Sequence, residues 1–142
     1  MKGGWDMGDF RERFRQIEEC LNQILNCQKV YFDGLIPSRL SSIKGVYLIA
    51  HKENNEVLYV GKTTNQKIRI YTNHLQGNHT TARLKKYLVE DVSMPTIQTY
   101  DQAKTWIKEN CYFQFLEIND ARLRGLLEGG FAYFLDSRYI EN

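Results

Sequence analysis

The 142-residue chain has three cysteines, Cys20, Cys27 and Cys111, and no CxxC pair. An odd, scattered set of this kind excludes a disulfide framework and a zinc knuckle, so all three read as reduced thiols. Long apolar runs are missing too. Nothing approaches the roughly eighteen residues needed to cross a bilayer, and the opening MKGGWDMGDF lacks the apolar core of a secretory signal. A cytoplasmic protein with no membrane association is the expectation. The Cys/His spacing of a zinc finger, internal repeats and low-complexity segments are all absent, so no separate sequence-reading module of the zinc-finger type is present. What is there is 42% hydrophobic and 25% charged, which suits one compact domain plus an appendage.

The most telling scarcity is local. A net charge of +2 says little, but residues 1–61 carry eight basic and eight acidic side chains and residues 90–142 carry five and nine. Between them, the twenty-eight residues from Lys62 to Val89 hold Lys62, Lys67, Arg69, Arg83, Lys85 and Lys86, with His74 and His79, and no acid. Such a block is either a solvated helical face or a positive field suited to phosphates, which release condensed counterions when neutralised.

The apolar spacing outlines the elements. Residues 9–28 place Phe10, Phe14, Ile17, Leu21, Ile24 and Leu25 on one face of an amphipathic helix. The Gly-, Pro- and Ser-containing YFDGLIPSRLSSIK then leads into the remainder, so residues 1–39 read as an N-terminal extension and 40–142 as the main domain. The apolar face of the helix must bury against that domain or against a second copy or protein partner. Val46–Ala50 and Val57–Val60, separated by the polar Lys52–Glu56, read as a hairpin. Helices follow over 65–76, ended by Gly77-Asn78, and over 82–90, capped by Thr80 or Thr81, with Arg83, Lys85 and Lys86 exposed. A short helix over 101–110 turns Ala103, Trp106 and Ile107 inward, and Tyr112–Ile118 forms a central strand. A closing helix, 121–135, is capped by Asn119 or Asp120, with Leu123, Leu126, Leu127, Phe131, Phe134 and Leu135 at core spacing. This order predicts a mixed α/β (α+β) fold: a small, mostly antiparallel three-stranded sheet flanked by helices.

The hairpin also carries a pattern. Gly45-Val46-Tyr47 is followed twelve residues later by Tyr59-Val60-Gly61, which puts two phenols on neighbouring strands. Half-buried cross-strand packing uses tyrosines in the same way. The string GVYLI, then LYVGKT, then Arg69 eight positions past Gly61 resembles the GIY-YIG endonuclease superfamily, which includes the nuclease of bacterial excision repair, homing endonucleases and some restriction enzymes. The resemblance runs from about Leu40 to the C-terminus and implies a three-stranded, helix-flanked core and a divalent-metal-dependent DNA endonuclease.

By that resemblance, Glu128 on the closing helix is the single carboxylate that anchors Mg²⁺ or Mn²⁺; by spacing alone it is also consistent with a solvent-facing position. Arg69 is the guanidinium for the scissile phosphate. Lys62 matches a basic residue of part of the family and favours a nearby phenolate. Tyr47 is assigned to deprotonating the attacking water, which a free phenol of pKa near 10 does poorly unaided. Tyr59 positions a phosphate or water, and the two phenol roles are exchangeable. Many members have a histidine or tyrosine four residues after the arginine; here that position is Asn73, with His74 one further, rotated by about 140° from Arg69 on a regular helix. Asn142 corresponds to an asparagine that follows the last helix in the family. The nucleic-acid-binding set is Lys62, Lys67, Arg69, Arg83, Lys85 and Lys86, with DNA favoured over RNA. The biological roles open to such an enzyme are restriction or defence, mobile-element mobility and repair. The alternative is a nucleic-acid-binding or assembly module that keeps the fold without cutting.

Overall fold

A computed structural model describes residues 4, 6–76 and 83–140, the side chains of 73–76 excepted. In chain order the elements are α1 (Met7–Asn26), β1 (Val30–Tyr31), a 3-10 turn (Pro37–Arg39), β2 (Gly45–His51), β3 (Val57–Thr63), a π-helix (Ile68–Gln76), α2 (Arg83–Glu90), α3 (Tyr100–Asn110), β4 (Cys111–Glu117) and α4 (Ala121–Phe134). The mixed α/β architecture is the expected one, with one strand more. The sheet has four strands in the order β1-β4-β2-β3, every neighbouring pair antiparallel. The added strand pairs Val30 with Phe113 and Tyr31 with Tyr112. Two residues are too few to show a strand period in sequence. The surrounding segment, read as a linker, in fact buries Phe32, Leu35 and Leu40.

β2 and β4 are central, and helices cover both faces of the sheet, which is why β2 reads as a continuous apolar run. One face carries Tyr47, Ile49, Tyr59 and Phe113 beneath Ile70 of the π-helix, Leu84 and Leu88 of α2, and Ala103 and Ile107 of α3. The other carries Val46, Leu48, Val60 and Tyr112 beneath Ile24 of α1 and Leu127 and Phe131 of α4. Each such fully buried aliphatic or phenyl side chain is worth about 1.5–3 kcal/mol against exposure. The hairpin register shifts between Ile49 and Ala50, which pair with Tyr59 and Val57. The extra residue in β3 leaves Leu58 and Tyr59 both in the cluster that contains Tyr47.

The caps were legible in part. Asp120 accepts from the Arg122 and Leu123 amides, and Thr99 with Gln102 forms a capping box on α3. The proposed caps and stops at Gly77, Asn78, Thr80 and Thr81 lie outside the described residues.

Three expectations need correction. Lys85, expected to be exposed, is only 2% exposed, because α2 turns Leu84, Lys85 and Leu88 together towards the interior. Leu126 and Phe134, expected in the core, are 58% and 54% exposed, since α4 buries only the stripe Arg124, Leu127 and Phe131. Along α1, Ile17, Cys20, Leu21 and Ile24 pack on the domain, while Phe14 and Leu25, expected on the same apolar face, stay exposed. No helix among the described residues is long and apolar enough to cross a membrane.

The outer edge of β3 is only partly covered. The Arg138 amide donates to the Val57 carbonyl at 3.0 Å and the Tyr139 amide to the Leu58 carbonyl at 2.9 Å. This blunts the start of the edge. The segment is pinned by Asp91, which accepts from the Tyr139 hydroxyl at 2.6 Å and from Arg138 Nη2 at 2.8 Å. Those hydrogen bonds, with that from Ser93, hold the Asp91 carboxyl well below the usual carboxylate range. Towards its C-terminal end β3 borders the cavities described next.

Candidate active site at the edge of the sheet

The two motif glycines exist for close approach. Tyr47 stands opposite Gly61 in the hairpin register, and a Cβ built on Gly61 would lie only 2.4 Å from the Tyr47 hydroxyl and 2.5 Å from its Cζ. A Cβ on Gly45 would lie 2.1 Å from the Leu116 carbonyl oxygen. Only a residue without a side chain lets the Tyr47 ring lie across β3. That ring is fully buried, parallel to Phe115 at 6.4 Å between centroids and tilted on Tyr59 at 6.2 Å. From Tyr59 the aromatic contacts continue to Tyr87 at 6.4 Å, and from Tyr87 to Tyr139 at 5.6 Å. The pinned C-terminal segment therefore buttresses Tyr59 from behind.

Tyr59, Lys62, Arg69, Arg83 and Glu128 line one cavity of about 330 Å³. They come from four elements. Strand alternation sends Lys62 to the face of β3 opposite Tyr59, so it reaches over α4, where its Nζ is 3.6 Å from the point a Gly125 Cβ would occupy. α4 brings Glu128 from that same face, while the π-helix and α2 bring Arg69 and Arg83 from the other. The cavity thus wraps the open end of the β3 edge, where both helical layers meet. Among the described residues of its wall, three cations face one carboxylate. Lys62 is exposed and Arg69 half-buried, and neither has a side-chain hydrogen bond or ion pair among the described residues.

Beside it lies a second cavity of about 290 Å³, lined by Lys62, Thr63, Thr64, Arg69, Ala121 and Arg124. Arg124 is one residue that sequence reading missed. It stands four residues before Glu128 on α4, a spacing that keeps both on neighbouring parts of one helical face and was available as a signal.

The remaining predicted residues distribute as follows. Tyr47 packs behind Tyr59 and is not in the cavity wall. Lys67 is exposed and Lys86 half-buried, and neither lines either cavity. Lys85 is directed inward, and burial with the nearby Lys104 pushes its ammonium down to about 8, against a smaller opposing effect of Asp101. A lysine so buried does not reach a phosphate on the surface. The backbone through Asn73 and His74 is π-helical, with hydrogen bonds from i to i+5, so the regular-helix angle that separated position 74 from Arg69 does not apply. Their side chains, and Asn142, lie outside the described residues. His51 is structural: its Nδ1 accepts from the Glu53 amide at 3.1 Å and its ring contacts Trp106.

A helix-flanked antiparallel sheet gathers guanidinium, ammonium, phenol and carboxylate groups at one edge, a set able to bind phosphate oxygens. The family model of the GIY-YIG catalytic domain matches residues 43–114, about half of the chain, and the chain belongs to this nuclease family. No curated protein and no solved structure matches it. Glu128 lies beyond the matched residues, so its place in the site rests on the fold that returns α4 to β3.

Proposed function

We propose that the protein is a divalent-metal-dependent DNA endonuclease whose active site is the cavity formed by Tyr59, Lys62, Arg69, Arg83 and Glu128. The observation that carries the reading is the convergence of these five residues, from four elements, on one cavity of about 330 Å³. Among the described residues no cluster of three acidic, histidine or cysteine side chains could hold a metal alone. Glu128 in the cavity wall fits a hard cation that takes one carboxylate and completes its shell with water and substrate phosphate oxygens. When bound, Mg²⁺ or Mn²⁺ supplies Lewis-acid stabilisation of charge on the phosphoryl oxygens.

The protein's own groups do the rest. Arg69 offers a planar fork for two non-bridging oxygens, and Lys62 a point charge from the opposite side of the edge. Arg83 adds a third cation, so the negative charge that grows in the transition state meets donors already in position. Of the two phenols, Tyr59 is the one in the cavity wall. We assign it the hydrogen bond that orients the attacking water, and Tyr47 the support of the Tyr59 ring.

The test is cleavage of supercoiled plasmid by the full chain with Mg²⁺ or Mn²⁺, beside Glu128→Ala and Arg69→Ala. Nicked or linear product from the wild type, and loss of about 100-fold or more in both variants, is expected for removal of charge stabilisation. Equal cleavage by wild type and Glu128→Ala would sink the metal assignment. Binding without cleavage of any DNA would convert the reading to a non-cutting module on the same fold.

A further inference from the structure

We propose that the second cavity, between the β3 turn and the N-terminus of α4, holds the phosphate that flanks the scissile one, so that the enzyme grips a continuous strand by two successive phosphates. This rests on reading the first cavity as the phosphodiester site. The key observation is Arg124. It is 7% exposed, and its Nη1 donates to the Ile118 and Asn119 carbonyls at 3.0 and 2.9 Å. A guanidinium has five N–H donors, and among the described residues Nε and Nη2 meet no acceptor. Nor does Arg124 have a carboxylate partner there. A buried cation with spare donors and no counter-charge is costly unless an anion completes it.

The surroundings fit an anion. Among the described residues no carboxylate lines this cavity, whereas Lys62 and Arg69 join Arg124 in its wall. Ala121, the first residue of the fourteen-residue α4, also lines it, but the Asp120 carboxylate already caps the Arg122 and Leu123 amides, so an anion here is held by the side chains and not by the helix end. The Thr63 hydroxyl is committed: it donates to the Asn65 carbonyl at 3.0 Å and accepts from the Asn65 amide at 2.9 Å. That turn leaves the exposed Thr64 as the neutral donor at the rim. Because Lys62 and Arg69 line both cavities, an anion in one is the immediate neighbour of an anion in the other. Successive phosphates of a single strand have that relation; a mononucleotide or an isolated phosphomonoester does not. The contact is with the backbone, so it carries positioning and no base sequence.

The test uses the full chain and two variants, Arg124→Gln and Thr64→Glu, the second on an exposed turn and chosen in case the first perturbs folding. Thermal melts first establish that each variant is folded. Binding of a fluorescein-labelled DNA duplex is then followed by anisotropy without divalent metal across a KCl series. Both variants are expected to bind about tenfold or more weakly, and Arg124→Gln to show a salt slope smaller by about one phosphate. In Mg²⁺ the loss is expected mainly in KM, because a flanking phosphate is held alike in ground and transition states. A folded Arg124→Gln and a folded Thr64→Glu with wild-type affinity and salt slope overturn the proposal. So does a loss confined to kcat. If the wild type cleaves nothing, the nuclease reading fails, yet the salt slopes still decide whether this cavity takes a phosphate.

Discussion

Replacing Gly61 by alanine tests whether the site depends on the fit between the two halves of the motif. The new methyl carbon would lie 2.4 Å from the Tyr47 hydroxyl, 2.5 Å from Cζ and 2.9 Å from Cε1. Carbon contacts settle near 3.5 Å, so the ring must retreat by about 1 Å. It has no free direction, being fully buried and bounded by Phe115 on one side and Tyr59 on another. Overpacking of this kind costs about 1–3 kcal/mol. For a domain of this size each kcal/mol moves the melting temperature by about 2–4 °C, so a drop of about 3–10 °C is expected in a circular dichroism melt. Because Tyr47 backs Tyr59, a displacement near 1 Å also lowers plasmid cleavage by about 100-fold. Tyr47→Leu removes the ring. The double variant Gly61→Ala/Tyr47→Leu is therefore expected to be more stable than the sum of the two single losses, by about 1 kcal/mol. A Gly61→Ala protein that melts and cleaves like the wild type would refute the reasoning, and strict additivity in the double variant would show that the strain lies elsewhere.

Lys85 and Asp91 give two predictions of opposite sign in pH. Burial and Lys104 lower the Lys85 ammonium from 10.5 to about 8, so its folding penalty is complete below pH 8 and fades as pH rises to 10.5. Lys85→Met is accordingly expected to stabilise by on the order of 1–3 kcal/mol below pH 8, with the gain vanishing by pH 10.5, in paired denaturant titrations. A gain that does not change with pH would contradict the assignment. Cys111, whose thiol burial pushes up to about 12, gives both proteins the same alkaline loss, so only their difference is informative. Asp91 is the depressed carboxylate, ordinarily near 3.8, and its contribution is full above that value and is lost as pH falls below it. Asp91→Ala should cost about 1–3 kcal/mol at neutral pH by releasing Tyr139 and Arg138, and should flatten the acid limb of the stability profile. An unchanged acid limb would show that the clamp does not hold the C-terminal segment on β3.

The sequence alone determined the local features, because those depend on spacing and side-chain chemistry that a linear string preserves. The hairpin, the helix spans and the two motif glycines follow from apolar period and turn residues, and an acid-free block from Lys62 to Val89 is plain to count. Tertiary structure decided everything that depends on which face an element turns inward. α2 could expose or bury Lys85 at the same helical spacing, and only its packing beside α3 and the π-helix chose burial. A two-residue β1 has no period to read, and it exists because β4 offers it an edge. Tyr47 and Tyr59 look equivalent in the string, yet a one-residue bulge and the stack on Phe115 put one behind the other, with Tyr59 alone in the cavity wall. Arg124 is the clearest case. Its charge and its place four residues before Glu128 were always visible, but a guanidinium with two donors satisfied and, among the described residues, three left over is a fact of packing, created when α4 closes on the end of β4.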